Sequence, residues 1–277
     1  MTLGLHWPAS LELTFSRRED RTLLLRKSHQ GPLLIQKVLY PEGPGICHAA
    51  ILHPPGGIGA GDSLIVDTRL DAGARVCLTT PGAAKWYRCA RGSSQQLLRF
   101  SLADDTALEW LPRENILFDA SEARMGLEVE LAARARFIGW EILCFGRRAH
   151  GAQWRSGRLW MQSSIRQGGR PLWSEQADIA ADGGFQASPV GLAGFSVCGT
   201  LIAAGAKIDS EWVAACRSIA PQGRDSRVGI TALPNILVAR YLGHSSEDAF
   251  NWLTALWATL RPALLEVAGN RLRLWAC

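Results

Sequence analysis

The chain has 277 residues, of which 47% are hydrophobic, 20% charged and 8% aromatic, and it carries a net charge of +5. This composition excludes wholesale disorder and both collagen-like and coiled-coil organisation, and it fits one large β-rich domain over residues 1–277. The positive charge does not make a nucleic-acid footprint: Lys27, Lys37, Lys85 and Lys207 are the only lysines, and the arginines occur singly or in doublets such as Arg17-Arg18 and Arg147-Arg148 rather than on one element.

In chain order, residues 11–15, 21–26, 33–39, 46–52 and 64–70 read as strands, separated by turn-rich stretches such as Pro41-Glu42-Gly43-Pro44-Gly45 and Pro54-Pro55-Gly56-Gly57. Residues 74–80 alternate, with Val76 and Leu78 facing one way and Arg75, Cys77 and Thr79 the other. Residues 95–102, 107–111 and 127–131 repeat the habit. Residues 135–145 are apolar on both faces, which predicts a strand covered on both sides. Residues 158–166 and 171–179, joined by Gln167-Gly168-Gly169-Arg170, predict a hairpin. Regularly spaced strands without intervening helices predict a sandwich, barrel or solenoid, although no exact sequence repeat demands a solenoid.

Residues 183–206 carry no charge, yet their glycines and Pro189 predict a loop followed by a buried strand rather than a membrane span. A short helix is expected from Ser210 to about Ser218. Ser245 to Asp248 caps a longer one over 246–261, whose face of Phe250, Leu253, Leu256, Trp257 and Leu260 ends at Pro262.

Seven cysteines with no CxxC spacing give neither a disulfide framework nor a zinc ribbon. The first twenty residues lack the pattern of a secretion signal, and together these features predict a cytoplasmic protein with reduced thiols and no membrane segment.

Several motifs fail on their chemistry. The glycines from Gly56 to Gly61 lead into a strand, and Asp62 stands where a phosphate site needs a cation. Gly194-Phe195-Ser196-Val197-Cys198 approaches a nucleophile elbow but lacks its closing glycine, and no histidine is placed by sequence to serve Ser196. Cys47, His48 and His53 carry ligand types suited to nickel, copper or zinc, but neighbours on a strand diverge. Acids on apolar strands carry more information. Glu109, Glu141 and Glu175, with Asp62 after the glycines, need an arginine, a backbone donor or a metal if they are buried.

Taken together, several segments resemble one family. The stretch from His53 to Ile58 with Gly61-Asp62 resembles the HPPGGxxxGD signature of the urease accessory protein UreD, called UreH in some species. The run Leu78 to Arg88 resembles its LTTPGAxKxYR stretch, and Leu108 to Glu114 with Phe118 its LEWLPxE…F segment. Gly139-Trp140-Glu141-Ile142 with Gly146-Arg147, then Arg240 to Gly243 and the terminal Arg273-Leu274-Trp275, follow in the family's order. The sequence departs after Gly146-Arg147: Ala152-Gln153 follow Gly151 where the family often has an acid.

The resemblance implies a mostly β fold of stacked sheets or β-helix-like structure, with a few helices near the C-terminus. It also implies a non-enzymatic maturation factor that binds the urease apoprotein, UreF and UreG and helps pass Ni2+ to the active site, with no permanently bound cofactor. In that setting Asp62, Glu141 and Glu175 are expected to line or gate an ion route, with His53 and Cys47 as further contributors. Trp252, off the main apolar face of its helix, is the candidate partner contact. The alternative is a β-rich carbohydrate-binding or hydrolytic protein that uses Glu109 and Glu114, although five positions on a proline-containing segment fix no carboxyl separation.

Overall fold

The computed structural model describes residues 7–147, 151–223, 225–269, 272 and 275. The terminal Arg273 and Leu274 of the family resemblance, and Arg148 of the arginine doublet, lie outside the described residues.

The chain opens with β1 (Pro8–Arg18) and β2 (Arg21–Gln30), followed by β3 (Leu34–Leu39) and β4 (Ile46–Leu52). It then coils through β5 (Ser63–Leu70), β6 (Arg75–Thr79), β7 (Ala84–Trp86), β8 (Ser94–Leu102), β9 (Ala107–Leu111), β10 (Asn115–Leu117), β11 (Ser121–Leu131), β12 (Arg136–Phe145) and β13 (Gly157–Gln167). Two large sheets result. The first has the order β13-β11-β8-β5-β1-β2, with β14 (Arg170–Ala180) beyond β13. The second runs β12-β9-β6-β4-β3 and extends past β12 through β15 (Val197–Ala204), β17 (Ile236–Gly243) and β16 (Arg227–Leu233).

From β4 to β13 the large-sheet strands alternate between the two sheets, and each pairs in parallel with the strand one coil away. Parallel neighbours need a crossover, and here the crossover is a strand of the opposite sheet instead of a helix. A narrow third side completes each coil: Ile58 bridges Trp86, Trp86 pairs with Leu117, and Leu117 with Phe145. All four are buried, so the corner of every coil is an apolar stack. The fold is therefore a β-solenoid-like stack whose strands repeat in geometry and not in sequence.

Alternation sets what each face buries. Val76 and Leu78 join the core between the sheets, while Cys77 points to the other side of the second sheet, as the sequence pattern requires. On β12, Phe137, Leu143 and Phe145 face the first sheet, and Ile138, Trp140, Ile142 and Cys144 face outward. That outward face is covered by helix α2 (Ser246–Leu265), with helix α1 (Ser210–Arg217) beside it.

The Ser245 hydroxyl caps α2 by accepting from the Asp248 N–H at 3.1 Å. The helix does not stop at Pro262 but runs on to Leu265. A helical proline forfeits one hydrogen bond, and the buried Leu264 and Leu265 offset that loss. The Arg75 guanidinium then donates to the Leu265 carbonyl at 3.0 Å, and Glu266 ends the helix in a left-handed conformation with φ of 58°. The β16–β17 hairpin, absent from the sequence reading, turns at Asn235 with φ of 64°.

Candidate functional site: an interior cleft with two carboxylates

The space between the sheets is not filled everywhere. A cavity of about 460 Å3 extends from His53, Pro54, Pro81 and Lys85 inward to Trp110, Trp140 and Glu141. A smaller one of about 70 Å3 is lined by Glu141, Met161, Glu175 and Thr200. The two share Gln96, Leu98, Trp110, Trp140 and Glu141 in their walls. Strand register explains the course. Leu64 pairs with Gln96, Gln96 with Met125 and Met125 with Met161, so the walls are built from one ladder crossing successive coils. On the opposite sheet Trp110 pairs with Gly139, where a Cβ would come within 2.7 Å of the Phe137 ring and 3.2 Å of the Trp110 carbonyl.

Glu141 sits where alternation puts it, on the inward face of β12 between Gly139 and Leu143. It pairs with Thr200 on β15, and Thr200 pairs with Arg240 on β17. Directly paired residues share a face, so Glu141, Thr200 and Arg240 form one inward row. On the first sheet Glu175 pairs with Ser163. Arg240 closes the gap, donating from Nη2 to Glu175 Oε1 at 2.6 Å and from Nη1 to Thr200 Oγ1 at 3.0 Å. Glu141 accepts no hydrogen bond from any described residue. Burial pushes its carboxyl up to about 7, the charge of Glu175 adds to the rise, and Arg240 opposes it.

The other candidates divide. His53 lines the mouth of the larger cavity. Burial lowers its pKa against the pull of Asp62, which favours the neutral imidazole that a metal requires. Asp62 is not in either cavity wall. It braces the glycine loop, accepting from the Gly59 N–H at 2.7 Å and the Trp7 N–H at 3.3 Å. Gly57 serves packing: a Cβ there would lie 2.1 Å from the Tyr87 ring.

Cys47 faces the core, and burial pushes its thiol up to about 11. His48 faces away from Cys47 and meets Glu42 at 2.7 Å, so Cys47, His48 and His53 do not converge. Among the described residues no group of three or more His, Cys, Asp or Glu is placed to hold a metal ion. Trp252 is buried, donates to the Ile219 carbonyl at 2.9 Å and lies beside Tyr241, which is core packing.

Glu109 shows the contrasting fate of a strand acid. It lies on the α2 side of the second sheet, fully enclosed. Arg261 donates to it from Nε at 2.8 Å and from Nη2 at 2.9 Å, and Trp257 donates from Nε1 at 2.7 Å. The same guanidinium reaches Glu42, which also meets His48. Burial alone would raise the Glu42 carboxyl, but hydrogen bonds from His48 and Arg261 outweigh it and hold it at about 2. Glu114 pairs with Arg113 at 3.6 Å. The two acids of a hydrolytic reading are therefore both engaged by arginine.

Ser196 does find a histidine, contrary to expectation. Its Oγ lies 3.3 Å from His244 Nδ1, and His244 Nε2 lies 3.7 Å from Asp225. The Ser196 N–H donates to the Gly243 carbonyl and so cannot serve a developing oxyanion.

Sequence reasoning missed Thr200 as a wall residue and Arg240 as the partner of Glu175. The arginine was visible only within the Arg240-Tyr241-Leu242-Gly243 motif, since its partner depends on a strand order that no local pattern encodes. No described helix is long and apolar enough to cross a membrane.

A family model described as UreD urease accessory protein matches residues 8–276. The chain is similar to proteins named urease accessory protein UreD. It is 47% identical to that of Methylobacillus flagellatus over 97% of this chain and 94% of that protein. It is 46% identical to that of a Janthinobacterium species over 96% and 90%, and 40% identical to that of Cupriavidus necator over 100% and 96%. With the match running from β1 almost to the final residue, the chain belongs to the UreD family of urease accessory proteins.

Proposed function

We propose that this protein is a non-catalytic urease maturation factor that binds the urease apoprotein together with UreF and UreG and lets Ni2+ pass through the cleft between its sheets. Family membership supports the role in urease maturation. The observation that carries the passage is that two adjoining cavities, one lined by His53 and Glu141 and the other by Glu141 and Glu175, share Glu141 in their walls.

A travelling divalent ion needs oxygen or imidazole contacts strong enough to draw it in and weak enough to release it. Nickel as cargo also needs shelter from competing ligands, because raw affinity does not select it. A carboxyl poised near 7 can hold a proton while the cleft is empty and surrender it when a cation arrives, so the site gains one charge instead of two when a divalent ion enters. The neutral His53 at the wide mouth would offer the next contact. The largely apolar walls of Leu64, Val66, Leu98 and Trp110 would hold the ion only where the polar groups stand. No metal is resident in this reading, and the protein works in the cytoplasm.

The test is nickel loading of urease in a reconstituted system. Glu141→Gln/Glu175→Gln, assembled with the partners as completely as the wild type, should slow metal incorporation into the apoprotein. Unchanged incorporation with an intact assembly would remove the passage from the reading and leave assembly alone.

A further inference from the structure

We infer that Arg240 is a latch, a resident cation that holds the Glu175 end of the cleft closed until a divalent ion displaces it. This rests on the passage proposed above and adds to it a residue that sets when the passage opens.

Three observations carry it. First, the Arg240 side chain is the hydrogen-bonded link between the sheets at this rung: its base is on β17 of the second sheet, and it reaches Glu175 on β14, the last strand of the first sheet. Second, the charges balance a divalent ion better than they balance Arg240. With both carboxyls ionised, Glu141 and Glu175 carry two negative charges. The guanidinium offsets only one, and of the two carboxyls it bonds only Glu175, its other donor going to Thr200. A metal ion between them matches both. Third, Arg240 has somewhere to go. Its side chain is 40% exposed and Glu175 is 31% exposed, so this pair stands at the solvent end of the cleft. Arg261, by contrast, is 0% exposed and locked between Glu42 and Glu109. A guanidinium does not release its partner by losing a proton at physiological pH, so it must be displaced.

The experiment measures Ni2+ binding to the full chain by equilibrium dialysis at fixed salt and pH. Freeing Glu175 from a half-exposed pair should tighten Ni2+ binding by about fivefold in Arg240→Gln, and Arg240→Lys should stay near the wild type. Adding Glu175→Gln to Arg240→Gln should abolish the gain. Equal affinity in folded Arg240→Gln and wild type would overturn the latch and leave a purely structural ion pair. Should Arg240→Gln fail to fold, the wild-type chain answers by NMR. The Arg240 Nε–H resonance, assigned by its loss in Arg240→Lys, should move as Zn2+ is added as a diamagnetic substitute, and an unmoved resonance at saturation would refute displacement. The two readings fail separately. A latch failure leaves Glu141→Gln/Glu175→Gln defective in urease loading, whereas a passage failure shows as normal loading by that same variant.

Discussion

Replacing Glu141 by glutamine should stabilise the protein, and by an amount that depends on pH in a defined direction. The native carboxyl titrates at about 7 because burial, and then Glu175, disfavour its charge, whereas the unfolded chain titrates near 4.5. Between those values the native state binds the proton that the unfolded state has lost, so wild-type stability falls as pH rises from 4.5 to 7 and levels off above. A difference of this size corresponds to about 3 kcal/mol. Glutamine keeps the shape and cannot ionise. Urea unfolding followed by tryptophan fluorescence should therefore show wild type and Glu141→Gln nearly equal at pH 4, with the variant more stable by up to about 3 kcal/mol at pH 8. A difference that does not change with pH, or a variant less stable at pH 8, would mean that Glu141 is well solvated or paired, and the proton-for-metal exchange would lose its basis.

The buried network under α2 should behave in the opposite way. Arg261→Met leaves Glu42 and Glu109 facing each other without their shared cation and should cost about 3–5 kcal/mol at pH 7, read as a lower urea midpoint. Gly57→Ala drives a methyl into the Tyr87 ring and should cost about 1–3 kcal/mol in the same assay, while Gly82→Ala, which meets no neighbour, should cost much less.

Much of the framework was legible because the signals were local. Strict alternation marked β6, the doubly apolar run marked β12, and the paired glycines marked the β13–β14 turn. The solenoid was not legible as a repeat, because its rungs share only a position. Ile58, Trp86, Leu117 and Phe145 stack in one corner while having nothing but apolarity in common. The β16–β17 hairpin was missed although Pro234-Asn235 offered a turn signal.

The site divides in the same way. Glu109 and Glu141 look alike in sequence as acids within apolar strands. One faces α2 and meets Arg261, and the other faces the opposite sheet and meets a cavity. Parity along a single strand is readable, but which parity meets which layer depends on how the strands are stacked. Arg240 is in the same position, since its link to Glu175 joins two strands that are neighbours in neither sheet.

Because every turn of the solenoid is a hoop of peptide bonds zipped to the next by its ladder, the bore cannot widen by letting strands drift apart. Its calibre is fixed by the side chains that point inward, and at Gly139 by the lack of one. Bulk added at that point would press on the Phe137 ring and the Trp110 carbonyl, so narrowing the interior there means straining the second sheet itself.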